Sequence, residues 1–177
     1  MRVIAGTLKG RKLDAPTWEG LRPTSDKLRE TLFNVLSARI AGARVMDGYA
    51  GTGAVGIEAI SRGAGHVTFV EQDRRAAALI ATNLKKCGIS DGYAIIQSSV
   101  LQAIRGLTAF DVILLDPPYA SDVHDVLPHL GDIVKPDGVV ILEHATRTET
   151  PAAAGRLVRV RELKSGDSTL TFYSCQP

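Results

Sequence analysis

The feature that most limits the fold of this sequence is a repeating order of apolar run, turn and amphipathic segment between residues 44 and 143. The runs predict strands over residues 44–47, 66–71, 93–97, 110–116 and 139–143. The intervening segments predict helices over residues 54–60, 74–87, 100–104 and 123–134. Strands that alternate with helices predict a doubly wound, mainly parallel α/β sheet, because right-handed crossovers place helices on both faces.

Both ends of the chain depart from this alternation. Residues 157–163 and 168–174 are extended runs joined by residues 164–167, which predicts an antiparallel hairpin on one edge of the sheet. Residues 151–155 predict a surface loop, and a helix is expected from about Ser25 to Leu36. A chain of 177 residues suits one hydrophobic core. We therefore expect an N-terminal extension over residues 1–40 and a single domain over residues 41–177.

Composition excludes several classes of protein. No apolar run approaches the roughly 20 residues of a membrane-spanning helix, and the N-terminus lacks the apolar stretch of a signal peptide. Cys87 and Cys175 share no metal-ligand spacing with each other or with the four histidines. We therefore expect a cytoplasmic protein without a disulfide framework or a bound metal.

The first twelve residues carry four basic side chains and no acidic one. These side chains are Arg2, Lys9, Arg11 and Lys12. A basic surface of this kind attracts the phosphate backbone of a nucleic acid. It is also compatible with the solvated face of a small hairpin, and composition leaves both interpretations open.

A glycine-rich loop follows the first strand, where open α/β sheets bind ligands. Gly51-Thr52-Gly53-Ala54-Val55-Gly56 fits the pattern GxGxxG, which alone would equally predict a nicotinamide cofactor. Here Asp47 ends the strand, and Gly48-Tyr49-Ala50 precede the first glycine. A carboxylate at this point repels a pyrophosphate but attracts the cationic amino group of a methionine moiety. The loop therefore favours S-adenosylmethionine.

Two further strand ends are candidate cofactor contacts. Glu71 ends the second strand, where an acid can accept hydrogen bonds from both ribose hydroxyls; the alternative is an ordinary surface acid. We include Gln72 beside it, and Ser98 and Ser99 after the third strand. A hydroxyl at Ser99 can hydrogen-bond to a ligand.

The most specific pattern in the chain is Asp116-Pro117-Pro118-Tyr119, at the end of the fourth strand. An amino group on a nucleic-acid base is a poor nucleophile, because its lone pair is delocalised into the ring. The Asp116 carboxylate and the Pro117 carbonyl can accept hydrogen bonds from both of its N–H groups, while consecutive prolines stiffen the turn. Tyr119 can stack on the base. A simple proline-rich turn is the alternative, but the glycine loop favours methylation of an exocyclic amino group.

Further segments extend these patterns over almost the whole chain. They are Arg2-Val3-Ile4-Ala5-Gly6, Gly10-Arg11-Lys12-Leu13, Arg22-Pro23-Thr24, Arg29-Glu30-Thr31-Leu32-Phe33-Asn34, the loop of residues 47–56, Glu58-Ala59, Ser61-Arg62-Gly63-Ala64 and residues 116–119. Together and in this order, they resemble the RsmD-type 16S rRNA guanine-N2 methyltransferases of bacteria.

The resemblance implies a class I S-adenosylmethionine-dependent methyltransferase fold, which is Rossmann-like. It implies methyl transfer to N2 of guanine 966 in small-subunit rRNA, in an assembling particle. It also places Arg22 and Thr24 near the cofactor and target pocket, and the basic N-terminal hairpin against RNA. The chain departs from the family at Gly48-Tyr49, where Cys-Phe or Leu-Phe is common, and at Ser99, where Asp or Asn is usual. We expect a monomer.

Other functions remain open at this point. Adenine-N6 DNA methyltransferases use the same Asp-Pro-Pro-Tyr chemistry, but they usually append a sizeable target-reading domain. Protein glutamine methylation uses a related Asn-Pro-Pro-Tyr pocket, which Asp116 disfavours. A nucleotide-dependent oxidoreductase is opposed by Asp47, and a non-catalytic RNA-binding module leaves residues 116–119 unexplained.

Overall fold

The computed structural model describes residues 1–19, 25–118 and 123–176. Its helices are α1 Asp26–Val35, α2 Ser37–Ile40, α3 Ala54–Ser61, α4 Arg74–Cys87, α5 Val100–Ala103 and α6 Val123–Leu130, with a 3-10 turn over Ile104–Gly106. Its strands are β1 Arg44–Gly48, β2 His66–Glu71, β3 Tyr93–Gln97, β4 Phe110–Leu115, β5 Val134–Ala145, β6 Ala153–Ala154, β7 Leu157–Ser165 and β8 Ser168–Cys175.

The strands form one sheet in the order β3-β2-β1-β4-β5-β8-β7-β6. The first five strands are parallel to their neighbours, whereas β8 runs antiparallel to β5 and pairs with β7 in a hairpin. β8 therefore lies next to the parallel strands, and β7 lies outside it. The predicted fold class is confirmed: the sheet is mainly parallel and doubly wound, with an antiparallel C-terminal hairpin.

Both faces of the sheet are covered. In β1, Val45 joins a buried cluster with α1, α3 and α4, while its neighbour Met46 joins a second cluster with α5 and α6. Successive strand residues point to opposite faces, so a strand covered on both sides reads as a continuous apolar run. The N-terminal residues Val3 and Leu13 belong to the first cluster. The N-terminal segment is thus packed against the same core as the parallel sheet.

Local signals in the sequence set the ends of α4. The Asp73 side chain accepts hydrogen bonds from the backbone N–H groups of Arg75 and Ala76, at 2.7 and 3.2 Å. Gly88 ends the helix with a φ of 75°, a left-handed conformation that favours glycine. An acidic N-cap and a glycine C-cap account for the agreement between the predicted helix and the observed one.

The segment around α6 differs from the prediction. The predicted helix over residues 123–134 is too long, because α6 ends at Leu130, and the predicted strand over residues 139–143 is too short, because β5 begins at Val134. Pro136 and Gly138, residue types that often end a helix, lie within β5. A register shift between Phe110 and Val112 of β4 accommodates the extra residues there.

The C-terminal connections are tighter than predicted. The loop expected over residues 151–155 contains β6, which pairs with the start of β7. The connection expected over residues 164–167 shrinks to Gly166 and Asp167, because Ser165 pairs with Ser168. Gly166 has a φ of 62°, as the first central position of a two-residue hairpin turn requires. Within the described ranges, no helix is long and apolar enough to cross a membrane.

Candidate active site

The carboxyl ends of the parallel strands meet at one edge of the sheet, here called the carboxyl edge. Gly48, the last residue of β1, is in register with Val70 on one side and Leu115 on the other. The next residues along those strands are Glu71 and Asp116. The Asp116 N–H lies 3.5 Å from the Gly48 carbonyl oxygen. The glycine loop and the proline turn therefore open onto the same edge, flanking the end of β1.

The glycine loop turns sharply between β1 and α3. Tyr49, Gly51 and Gly53 all have positive φ, at 60°, 57° and 77°. For Tyr49 this left-handed conformation is uncommon, and strained backbone of this kind often accompanies functional loops. The Gly53 N–H donates to the Ala50 carbonyl at 2.8 Å, and the Ala50 N–H donates to Val70 at 3.0 Å. The loop is therefore fixed to the end of β2.

The last glycine of the loop pattern serves packing. A Cβ built on Gly56 would lie 2.2 Å from the Phe69 ring, so α3 crosses β2 at a distance that only glycine permits. The Gly56 N–H, in the first turn of α3, donates to Oδ2 of Asp47 at 2.8 Å. This hydrogen bond joins the carboxylate at the end of β1 to the helix that follows the loop.

Asp47 is buried with a raised pKa. The pKa of its carboxyl is raised to about 8. Burial is the largest cause, the Gly56 hydrogen bond opposes it, and the charges of Asp116 and Glu71 add to the increase. The effect of these two charges agrees with the strand register, which places all three carboxyls at the carboxyl edge. Such a cluster of acids favours a ligand that carries positive charge.

Glu71 links the glycine loop to the end of β2. Its two carboxylate oxygens accept hydrogen bonds from the N–H groups of Gly51 and Asp73, each at 2.8 Å. The residue is buried, so these two bonds fix the side chain in place. Each carboxylate oxygen has two lone pairs and uses one of them here, so each oxygen can accept one further hydrogen bond from a ligand.

The residues after β3 lie beside Glu71. Glu71 is in register with Gln97, and the Ser98 N–H donates to the Glu71 carbonyl at 3.1 Å. Ser99 is the N-cap of α5, where its Oγ accepts from the Gln102 N–H at 3.3 Å. The spacing Ser-x-x-Gln is a capping signal that the sequence analysis missed. Gln72 is exposed next to them.

The described part of the proline turn is accessible. Asp116 and Pro117 are partly exposed and Pro118 is exposed, in contrast to the buried β4 residues before them. Tyr119, the fourth residue of the turn, lies outside the described residues. Two other predicted site residues, Arg22 and Thr24, also lie outside them.

The basic N-terminal residues form a small hairpin on the surface. Arg2 and Lys12 form an antiparallel bridge, and the Val3 N–H donates to the Arg11 carbonyl at 2.9 Å. All four basic side chains of the pattern, on Arg2, Lys9, Arg11 and Lys12, are exposed. The four basic side chains therefore lie on one exposed hairpin, and their contact with RNA stays a prediction.

Glu58 of α3 attaches this hairpin to the domain. Its two oxygens accept from the N–H groups of Ile4 and Ala5 at 2.8 and 2.9 Å, and one also accepts from Arg62 Nε at 2.8 Å. Arg29 of α1, fully buried, has its Nε 3.9 Å from Glu58. In the sequence, Glu58 was recognised only as part of a pattern. The signal that could have identified its role is its position as the single acid in a largely apolar helix.

Comparison with known proteins places the chain in a family. The sequence family described as Conserved hypothetical protein 95 matches residues 1–174. The protein YlbH of Bacillus subtilis (strain 168) is 35% identical, over 98% of this chain and 98% of its own. Ribosomal RNA small subunit methyltransferase D of Haemophilus influenzae is 39% identical, over 81% of this chain and 78% of its own.

The fold comparison agrees with the sequence comparison. The solved structure of yhhF from Escherichia coli covers 100% of this chain and 98% of its own length, at 26% identity and a TM-score of 0.88. The match spans the basic hairpin, the glycine loop and the proline turn alike. The chain therefore belongs to the Conserved hypothetical protein 95 family, the RsmD-type methyltransferases.

Proposed function

We propose that this chain transfers a methyl group from S-adenosylmethionine to the exocyclic N2 of a guanine in 16S rRNA, within an assembling small ribosomal subunit. Guanine 966 is the position that the family resemblance implies. The observation that carries the proposal is the placement of Glu71 and Asp116 on either side of the end of β1. A donor held by the glycine loop and an amino group held by the proline turn would then meet in one small volume.

The charge of the pocket fits the cofactor. The pKa of Asp47 is raised first by burial and then by two nearby carboxylates, so a cation bound there relieves an electrostatic cost. S-adenosylmethionine carries an ammonium and a sulfonium, whereas the pyrophosphate of a dinucleotide would add to the repulsion. When bound, the cofactor supplies an electrophilic methyl group.

Different residues of the carboxyl edge bind different parts of the cofactor. Asp47 holds the amino group of the methionine moiety, and the backbone of residues 48–53 surrounds it. Glu71, already oriented by two backbone N–H groups, accepts hydrogen bonds from the ribose hydroxyls. Gln72, Ser98 and Ser99 surround the adenine side, and we assign Thr24 to the same pocket on the family resemblance.

The proline turn orients the target base. The Asp116 carboxylate and the Pro117 carbonyl accept hydrogen bonds from the two N–H groups of the guanine amino group. These hydrogen bonds direct the lone pair of the amino nitrogen at the methyl group. Pro117 and Pro118 fix the turn before substrate binds, so little reorganisation is needed. Tyr119 stacks on the base, which must be unpaired or flipped out to reach it.

The N-terminal extension supplies the RNA contacts. We assign residues 1–40 to this role and residues 41–177 to catalysis. Arg2, Lys9, Arg11 and Lys12 present their charges from one exposed hairpin, which suits the phosphate backbone rather than base edges. We assign Arg22 to the RNA contacts on the family resemblance.

One experiment tests donor, acceptor and atom together. Small subunits and rRNA are prepared from a strain that lacks the enzyme, and radiolabelled S-adenosylmethionine is added with the purified protein. We expect the label in N2-methylguanosine after nucleoside analysis, with little incorporation into subunits from a strain that has the enzyme. Label in N6-methyladenine of added DNA would favour a DNA methyltransferase instead. RNA binding without any transfer would indicate a non-catalytic module.

A further inference from the structure

Asn83 of α4 is a fully buried polar side chain that contacts two separate parts of the chain. Its Oδ1 accepts a hydrogen bond from the Asp14 N–H at 2.7 Å. Its Nδ2 donates to the Asp14 carbonyl at 3.2 Å and to the Thr52 carbonyl at 3.0 Å. One amide therefore joins the N-terminal segment to the glycine loop.

The segment over residues 14–19, here called the crossing segment, runs along α4. Asp14 contacts Asn83 and Lys86 in the second half of the helix, while the Trp18 ring packs on the Arg75 guanidinium at 4.9 Å in the first turn. Eight residues of helix span about 12 Å, and four extended residues span about the same length. The crossing segment thus follows α4 towards the carboxyl edge, where α4 begins.

The glycine loop rests on the same helix. A Cβ built on Gly53 would lie 3.1 Å from Ile80, so the loop backbone touches α4 one turn before Asn83. The Thr52 hydroxyl lies 3.8 Å from the Met1 sulfur, a second contact with the N-terminal segment. A single side chain, that of Asn83, therefore hydrogen-bonds to the backbone of both Thr52 and Asp14.

We propose that Asn83 is a positioning residue that couples RNA binding by the N-terminal extension to cofactor binding by the glycine loop. The inference rests on the function proposed above. RNA bound to the hairpin and the crossing segment would fix the position of Asp14. Asp14 then orients the Asn83 amide, and the amide in turn orients the Thr52 carbonyl. Because coupling between sites is reciprocal, cofactor binding tightens RNA binding by the same factor.

The test uses Asn83→Asp, which has almost the same shape. In either protonation state, aspartate keeps an acceptor for the Asp14 N–H, but it can donate at most one hydrogen bond where the asparagine amide donates two. It therefore cannot hold the Asp14 and Thr52 carbonyls together. The affinity for S-adenosylhomocysteine is measured with and without target rRNA, and the ratio is the coupling factor. We expect at least about fivefold coupling in the wild type and a factor near one in the variant. In the variant, the KM values for S-adenosylmethionine and rRNA should rise, while kcat at saturation changes by less than about threefold.

Two controls separate coupling from general destabilisation. Thr82→Ala changes the exposed neighbour on α4, and Lys86→Ala removes only the surface ion pair to Asp14; both should keep wild-type coupling. A second measurement needs no variant: hydrogen exchange at the Asp14 amide of the wild type should slow by about fivefold when S-adenosylhomocysteine binds.

Three results would overturn the proposal. The first is a coupling factor of one in the wild type, and the second is a wild-type coupling factor in folded Asn83→Asp. The third is a hydrogen-exchange rate of the Asp14 amide that does not change when S-adenosylhomocysteine binds. The hydrogen-exchange result stands even if the variant fails to fold. Wild-type protein that binds no S-adenosylhomocysteine, or transfers no methyl group to rRNA, would contradict the proposed function itself, so the two failures are distinguishable.

Discussion

The raised pKa of Asp47 gives the cofactor site its most direct test. Burial, together with the charges of Asp116 and Glu71, holds this pKa near 8, so about a tenth of the carboxyls are ionised at pH 7. Only the ionised form attracts the ammonium of the ligand. From pH 6 to pH 7.5 the ionised fraction rises by about twentyfold, and the Kd for S-adenosylhomocysteine should fall by about the same factor.

The same shift affects stability. In the unfolded chain the Asp47 carboxyl ionises near its usual pKa of 3.8, so the folded protein binds the extra proton between pH 3.8 and about 8. Stability is lost as the pH rises through this window, by roughly 4 kcal/mol at pH 7, since each pKa unit corresponds to about 1.4 kcal/mol. Asp47→Asn should be more stable than the wild type at pH 7 by up to that amount, yet bind the ligand more weakly.

Titration calorimetry and urea unfolding at several pH values between 6 and 7.5 would measure both effects. This range avoids the loss of the ligand's own ammonium charge near pH 8. Asp47→Asn is the matched control, because its affinity should change little with pH. A wild-type Kd that does not vary with pH, or one that varies equally in the variant, would refute the role of Asp47.

Three more changes test other parts of the molecule. Asp116→Ala should abolish methyl transfer while leaving the Kd for S-adenosylhomocysteine within about threefold; active variant protein would contradict the catalytic role. Neutralising Arg11 and Lys12 together should reduce the slope of log affinity for rRNA against log salt by about two, and an unchanged slope would argue against phosphate contact. Gly56→Ala should lower the free energy of unfolding by about 1–3 kcal/mol, because the new methyl group meets the Phe69 ring; equal urea midpoints would contradict that packing.

The sequence predicted the elements whose signals are local. The helix over residues 74–87 has an acidic cap before it and a glycine after it, and both signals hold in the structure. The strands around β1 were recognisable because a strand covered on both faces has a nearly continuous apolar sequence. The glycine loop and the proline turn could be placed at one edge because parallel strands share their direction.

Contacts between distant residues could not be predicted in the same way. The true start of β5 depends on a register shift against β4, not on Pro136 itself. Asn83 looks like an ordinary helical residue until the fold brings Asp14 and Thr52 to it, across 69 and 31 positions of sequence. Glu58 likewise acquires its role only when the hairpin backbone docks on α3.

The outer edge of β7 has a consequence for self-association. β6 pairs only with Leu157 and Val158, and beyond them no other strand within the described residues pairs on that side. An open β-edge invites pairing with another copy, particularly where Val160 is 58% exposed. Near that valine along β7 lie three basic side chains, those of Arg159, Arg161 and Lys164, and one acidic side chain, that of Glu162. These side chains discourage edge-to-edge stacking of neighbouring molecules, so neutralising them should promote aggregation rather than unfolding.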